Sequence, residues 1–349
     1  MARIHDLLRT ELPIIQAPMA GVQGHALAVA VSNAGGLGSL PAALLSPDAL
    51  RQELTALKAQ TARPFNVNFF CHEAPVPDTE RDAAWRAALA PYRAELGVDA
   101  AALPVAPGRS PFSTALADIV AEFEPPVVSF HFGLPSAALM QRVRASRAVI
   151  LSSATTLDEA LWLEANGADA VIAQGLEAGG HRGMFRGDDI STQVGTFALL
   201  PQLVRALRVP VIAAGGIADA QGVAAAMALG AAGVQVGTAY LLCREATTSA
   251  VHRAALQSAA AGCTALTNLF TGRPARGIVN RAMRELGPMS RAVPAFPLAT
   301  GMMAPLRAKA EALGRGDFSP LWAGQNTSGC RAVPAAQLTR ELAAGLPAR

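Results

Sequence analysis

No two of the four cysteines in this sequence, Cys71, Cys243, Cys263 and Cys330, stand at CxxC spacing. A structural zinc site and a disulfide framework are therefore not expected, and a reducing compartment is the default. Long apolar runs are missing too. None approaches about 18 residues free of charges and turn formers, so no membrane-spanning helix is expected. The opening stretch, MARIHDLLRTELPIIQAPM, has no uninterrupted apolar segment or small-residue cleavage site, and a cytoplasmic location is expected. Charge is sparse at 16% of residues, with a net +3 and no basic block interleaved with aromatics, which argues against a nucleic-acid partner. His5, His25, His72 and His252 have no partner at ligand spacing, so no metal site is expected.

What is present is a chain of 349 residues, 51% of them hydrophobic, dominated by Ala, Gly, Val and Leu. That composition suits a tightly packed α/β protein, of one large domain or two ordinary ones. Short apolar runs bounded by Gly, Pro, Asn or Asp recur along it. They predict strands at Pro13–Pro18, Gly36–Leu40, Phe65–Phe70, Val127–Phe132, Ala148–Ala154, Ala170–Gln174, Val209–Ala214 and Gly233–Gly237. Most are continuously apolar, as parallel strands buried on both faces are. Helical patterns lie between them, among them His25–Ser32, Leu157–Asn166, Thr196–Leu207 and Asp219–Leu229, and Asn166-Gly167 and Leu229-Gly230 read as C-caps. Strand then helix, repeated to eight strands, predicts a (β/α)8 TIM barrel, with a doubly wound sheet as the alternative.

Two segments exceed the minimal barrel. Residues 71–126 are too long for one crossover and carry Pro-rich punctuation, so an excursion of loops and helices is expected there. Residues 241–310, Ala- and Met-rich and mainly helical by pattern, are expected to form a smaller domain over the C-terminal rim. The barrel domain is then 1–240 with 311–349.

Active sites of this fold form where the strands end. Small or polar residues stand at those ends: Gln16 to Met19, Asn68, His131, Gln174, Gly215-Gly216 and Gly237-Thr238. The glycine pair and Gly237-Thr238 lie where such barrels bind phosphate, since main-chain N–H groups there can approach an anion; tight turns are the plainer explanation. Gly179-Gly180-His181 follows the Ala170–Gln174 strand. Paired glycines would let the backbone approach a flat ligand, and a histidine that starts near pKa about 6.5 suits proton transfer or charge beside an anionic substrate. Its plainer role is a hydrogen bond to a nearby carbonyl. His131 shares a face with Val127 and Ser129, so it can line the same cavity or serve as a satisfied core histidine. Glu177 can orient the loop or be solvated.

Together PIIQAPMAGV (13–22), NAGGLGSL (33–40), FNVNFF (65–70), VVSFHFGLP (127–135), QGLEAGGHRG (174–183), VPVIAAGGIAD (209–219) and GVQVGTAYL (233–241) resemble the nitronate monooxygenase family, class I in particular. GRPARGIVNR (272–281) and LWAGQ (321–325) carry the likeness to the tail. The resemblance implies a flavoprotein that holds FMN on a TIM barrel and oxidises alkyl nitronates, propionate 3-nitronate especially, with O2 to a carbonyl compound and nitrite, a detoxification. The family's flavin contacts fall on Asn68, Gln174, Gly179, Gly216, Gln235, Val236, Gly237 and Thr238, and the strand-end positions Met19, Gly180 and Gly215 join them. Its active-site histidine falls on His181; His131, from its place on the strand, is the candidate substrate contact. A homodimer is compatible with this picture. A flavin-dependent enoyl-acyl-carrier-protein reductase resembles the chain through the same APM, EAGGH, AAGGI and GT blocks, and an NAD(P)H:quinone reductase or a flavin-storing barrel without turnover are further alternatives.

Overall fold

The computed structural model describes residues 4–99 and 109–347; within the expected 71–126 excursion, residues 100–108 lie outside the described residues. The strands in chain order are β1 (Ile14–Gln16), β2 (Gly38–Pro41), β3 (Phe65–Phe70), β4 (Val127–His131), β5 (Val149–Ala154), β6 (Ala170–Gln174), β7 (Gly180–His181), β8 (Val211–Ala214), β9 (Gly233–Val236), β10 (Thr264–Thr267) and β11 (Ala275–Ile278). Eight of them, all but β7, β10 and β11, form one parallel sheet in the order β2-β3-β4-β5-β6-β8-β9-β1. Ile15 then bridges Leu37 in parallel: the Gln16 N–H donates to the Leu37 carbonyl at 2.9 Å, and the Leu37 N–H to the Ile14 carbonyl at 2.8 Å. That contact joins the first strand to the second and closes the sheet, so the fold is the (β/α)8 barrel and not a doubly wound sheet.

Prolines trim the strands relative to the sequence expectation. β1 begins after Pro13 and β8 after Pro210, because proline has no N–H for the ladder; their carbonyls still accept from Val234 and Val171, both at 3.0 Å. Along each strand the side chains alternate. In β4, Val128 and Phe130 pack outward against the helices, while Val127 joins the barrel's inner cluster. In β6, Val171 and Ala173 face outward and Ala170 and Ile172 inward. The helix Ile4–Leu8 plugs the bottom, with Ile4 and Leu8 packed on Ile15, Leu37, Leu151 and Ile212. Each such fully buried aliphatic side chain is worth about 1.5–3 kcal/mol of transfer free energy. The top of the barrel is left polar, and there the cavity opens.

Helix starts are fixed locally. Thr156 and Asp219 accept from the N–H groups of Glu159 and Gly222, capping Leu157–Ala165 and Ala220–Ala228. The outer ring ends with Ala335–Ala343, whose Ala335, Leu338 and Leu342 pack in the same core as Leu27 and Val223 of earlier helices.

Above the rim sits a smaller unit with its own core: Leu269, Phe270, Met283, Met303, Leu306 and Phe318. It carries the helices Arg281–Glu285 and Ala299–Ala312, and also the antiparallel pair β10–β11, which helical patterning alone did not foresee. Trp85, Leu89 and Leu96 of the helix Thr79–Leu96 belong to this core, whereas Leu116, Ile119 and Val120 of Thr114–Phe123 belong to the barrel's outer layer. We propose on that basis that the cover comprises residues 79–96 together with about 263–318, in place of 241–310 alone. β11 pairs with β7, placing His181 opposite Ala275 and Gly180 opposite Arg276. No helix among the described residues is long and apolar enough to cross a membrane.

Candidate active site

A cavity opens at the barrel mouth. Met19, Asn68, Gln174, Gly179, Gly180, His181, Gly215, Gly216, Gln235, Gly237, Thr238 and His131 all line it. Val236 does not: strand alternation turns its side chain into the outer core, and its carbonyl accepts from the Ala17 N–H at 2.8 Å.

The loop after β6 is held from several sides. The Gln174 amide donates to the His181 carbonyl at 2.9 Å, while its oxygen accepts from the Gly183 N–H at 2.7 Å. His131 Nε2 meets the same His181 carbonyl at 3.2 Å. Arg182, fully buried, clamps the base of the loop through the Gly175 and Gln174 carbonyls, both at 2.6 Å, and through Gln193 at 2.9 Å. Gly179 admits no side chain, because a Cβ there would collide with the Ala323–Gly324 backbone; Gly180 has φ +72° and open space where its Cβ would be. His131 thus fills both roles the sequence allowed: it lines the cavity and is hydrogen-bonded. Glu177 takes a third role. Its carboxylate accepts from the Thr196 N–H at 2.8 Å and hydroxyl at 2.9 Å, capping the helix Thr196–Ala206.

At the other end, Gly215 and Gly216 have φ +114° and +76°, and Gly237 precedes the 3-10 turn Thr238–Leu242, whose first N–H groups have no intrahelical partner. The tail closes over them: Asn326 Nδ2 donates to the Gly216 carbonyl at 3.0 Å and the Gly324 N–H to Thr238 Oγ1 at 2.9 Å.

The His181 ring is enclosed by aromatics. Its centroid lies 5.4 Å from Phe296, 5.5 Å from Trp322, 6.1 Å from Phe132 and 6.2 Å from Phe70. Burial, then Arg109, His131, Arg273 and His72, push its pKa well below the usual value. His131, also dominated by burial, is pushed down to about 4. Both are therefore neutral at pH 7. Arg109, lowered by burial to about 10, stays charged; its Nη1 donates to Thr300 Oγ1 at 2.9 Å and its Cζ sits 5.7 Å from the Phe296 centroid. No carboxylate pairs with it among the described residues, and the cavity's one acidic side chain, Glu177, is committed to Thr196. Arg273 adds a second cation, 4.1 Å over the Phe132 ring.

Sequence reasoning passed over Arg109, Arg273, Thr271 and His252. His252 comes from the helix Ala250–Leu256 to line the cavity with Nε2 unpartnered, and His72 stands 4.8 Å ring to ring from Phe296. Their spacing in sequence carried no signal, because the cover alone brings them together.

The model of the family described as nitronate monooxygenase matches residues 2–345. The chain belongs to that family, a family of oxidoreductase enzymes. It is similar to the nitronate monooxygenase of Paraburkholderia phytofirmans, 43% identical over 96% of this chain and 92% of that protein. The Pseudomonas aeruginosa nitronate monooxygenase is 42% identical over 97% of each chain. Among solved structures, a nitroalkane oxidase from Streptomyces ansochromogenes aligns with TM-score 0.89 and 41% identity over 98% of this chain and 97% of that one. FabK from Thermotoga maritima aligns with TM-score 0.71 and 29% identity over 98% and 94%.

Proposed function

We propose that this member of the family binds FMN in the cavity and oxidises alkyl nitronates, propionate 3-nitronate foremost, with O2 to a carbonyl compound and nitrite. The observation that carries the reading is the charge of the cavity: a half-buried Arg109 without a carboxylate partner among the described residues, Arg273 behind Phe132, and neutral histidines between them. Such a wall favours a small anion, which a nitronate is and a neutral nitroalkane is not.

The residues fit a flavin on three counts. Gln235 Oε1 is buried without a partner among the described residues, ready to accept from a ring N–H. Gly237 leaves the floor beside Ala17 and Met19 open to a flat ring. The Gly215-Gly216 turn and the start of Thr238–Leu242 offer main-chain N–H groups to a phosphate. FMN, when bound, supplies the electron transfer from substrate to oxygen.

The protein supplies position, charge and a proton acceptor. Asn68, Gln174, Gly179, Gly180 and Met19 would hold the cofactor beside His181. Arg109 draws in the nitronate, and the aromatic enclosure of His181 keeps water out. With a neutral nitroalkane, neutral His181 must first take the α-proton, and its depressed pKa keeps it unprotonated for that step.

The test is direct. The purified protein should be yellow, release FMN on denaturation, and consume oxygen with propionate 3-nitronate in the absence of NAD(P)H. Rapid flavin reduction by NADPH with no oxygen uptake on nitronate would instead make it a reductase.

A further inference from the structure

We propose that Thr271 fixes His181 as the Nε2–H tautomer, leaving Nδ1 as the bare acceptor toward the cavity, and so acts as a positioning residue for proton abstraction. This rests on the reading of His181 as the base for neutral nitroalkanes.

Three observations carry it. His181 Nε2 lies 3.0 Å from Thr271 Oγ1, the ring's one hydrogen-bond partner among the described residues. The Thr271 hydroxyl, buried at 2% exposure, lies 3.4 Å from the Arg273 carbonyl, which can only accept. When the hydroxyl gives its single proton to that carbonyl it accepts from the ring, and the ring nitrogen facing Thr271 carries the hydrogen. His181 Nδ1 has no protein partner among the described residues, and His181 lines the cavity.

Thr271 sits in a tightly packed turn. The Gly272 N–H donates to the Asn268 carbonyl at 2.8 Å, and Gly272 sits at φ +92°, where a Cβ would collide with the Pro294 carbonyl. The turn is therefore set by backbone packing, and β11 begins only four residues beyond Thr271 to pair with β7. The threonine comes from the cover and the histidine from the barrel loop, and one ladder registers both.

In the step itself the α-C–H bond of a neutral nitroalkane breaks and its proton goes to His181 Nδ1. The electron pair moves into a C=N double bond, and the charge comes to rest on the nitro oxygens, giving the nitronate. The resulting imidazolium keeps Nε2–H donating to Thr271, so protonation requires no rearrangement on that side of the ring. Arg109 and Arg273, beside the neutral His131 and His72, oppose the ring's positive charge, which makes the product imidazolium quick to lose its proton again. A pre-formed nitronate skips the step and does not need the tautomer.

The experiment compares holoenzyme carrying Thr271→Val and Thr271→Ser with the parent on nitroethane and on pre-ionised ethyl nitronate. Thr271→Val should lose about tenfold more kcat/KM on nitroethane than on ethyl nitronate, and Thr271→Ser should recover most of the difference. In parallel, long-range nitrogen-15 spectra of histidine-labelled protein, with His181 assigned through His181→Asn, should show the Nε2–H tautomer in the parent and a mixture in Thr271→Val. Equal losses on both substrates, or an Nδ1–H tautomer in the parent, would overturn the proposal. Because the spectra need no turnover, they decide the tautomer even if neither nitro compound proves to be a substrate.

Discussion

Gln174 holds the main chain of His181: its side-chain nitrogen donates to the His181 carbonyl at 2.9 Å while its oxygen accepts from the Gly183 N–H at 2.7 Å. One amide thus spans the loop on both sides of the histidine. Gln174→Leu keeps the volume and removes both bonds, leaving the buried Gly183 N–H with no acceptor. A stability loss of about 1–3 kcal/mol is expected in urea unfolding, together with loss of nitroalkane turnover. A variant as stable as the parent would show that the loop is held elsewhere.

Arg109→Gln removes a cation that lines the cavity. Since a hydrogen bond to a charged group is worth about 1.5–3 kcal/mol, KM for a nitronate should rise roughly tenfold to a hundredfold. Arg109 is the largest named charge pushing His181 down, so the acid limb of nitroalkane turnover should move to higher pH in the same variant. Stopped-flow binding and a pH profile read the two effects separately.

Gly237 has φ −114°, and a Cβ there would lie 3.3 Å from the Ala17 Cβ, a tight contact with a side-chain methyl. Gly237→Ala should therefore fold, with a small drop in melting temperature, while narrowing the floor on which a flavin would lie. The flavin-to-protein ratio after dialysis should fall about tenfold. Undiminished flavin would move the cofactor away from this floor.

His72, His131 and His252 are each pushed by burial to about 4. Between pH 6.5 and 4 the unfolded chain takes up protons at these rings while the folded chain does not, so stability declines as pH falls through that window and is insensitive to them above it. His72 is buried and packs edge-on against Phe296. His72→Phe should flatten the acid slope of the unfolding free energy measured from pH 7 to 4. An unchanged slope would show that His72 is protonated in the folded state.

Much of this architecture was legible because it is local. Parallel strands buried on both faces read as apolar runs, helix caps as Thr, Asp or Gly at the ends, and Val127, Ser129 and His131 as one face of a strand. Gly215-Gly216 and Gly237-Thr238 declared themselves for the same reason: they end strands. Arg109 did not, since an arginine in a Pro-rich excursion resembles any solvated arginine until Thr300 and Phe296 are brought against it. Trp85 and Leu89 were assigned with the barrel, but their partners lie some two hundred residues on, and a core assembled over that distance has no period to detect. The β7–β11 pairing was hidden too, because two residues make no alternation.

That two-residue strand has a consequence for how such proteins can be divided. The histidine is presented by a backbone whose hydrogen-bonding partner belongs to the cover, so neither half carries a finished site alone. A chimera that exchanges covers between relatives must bring the matching Gly180–His181 segment and Thr271 with it, or it will join two sound folds and lose the chemistry at the seam. In this chain the working unit of inheritance is the seam.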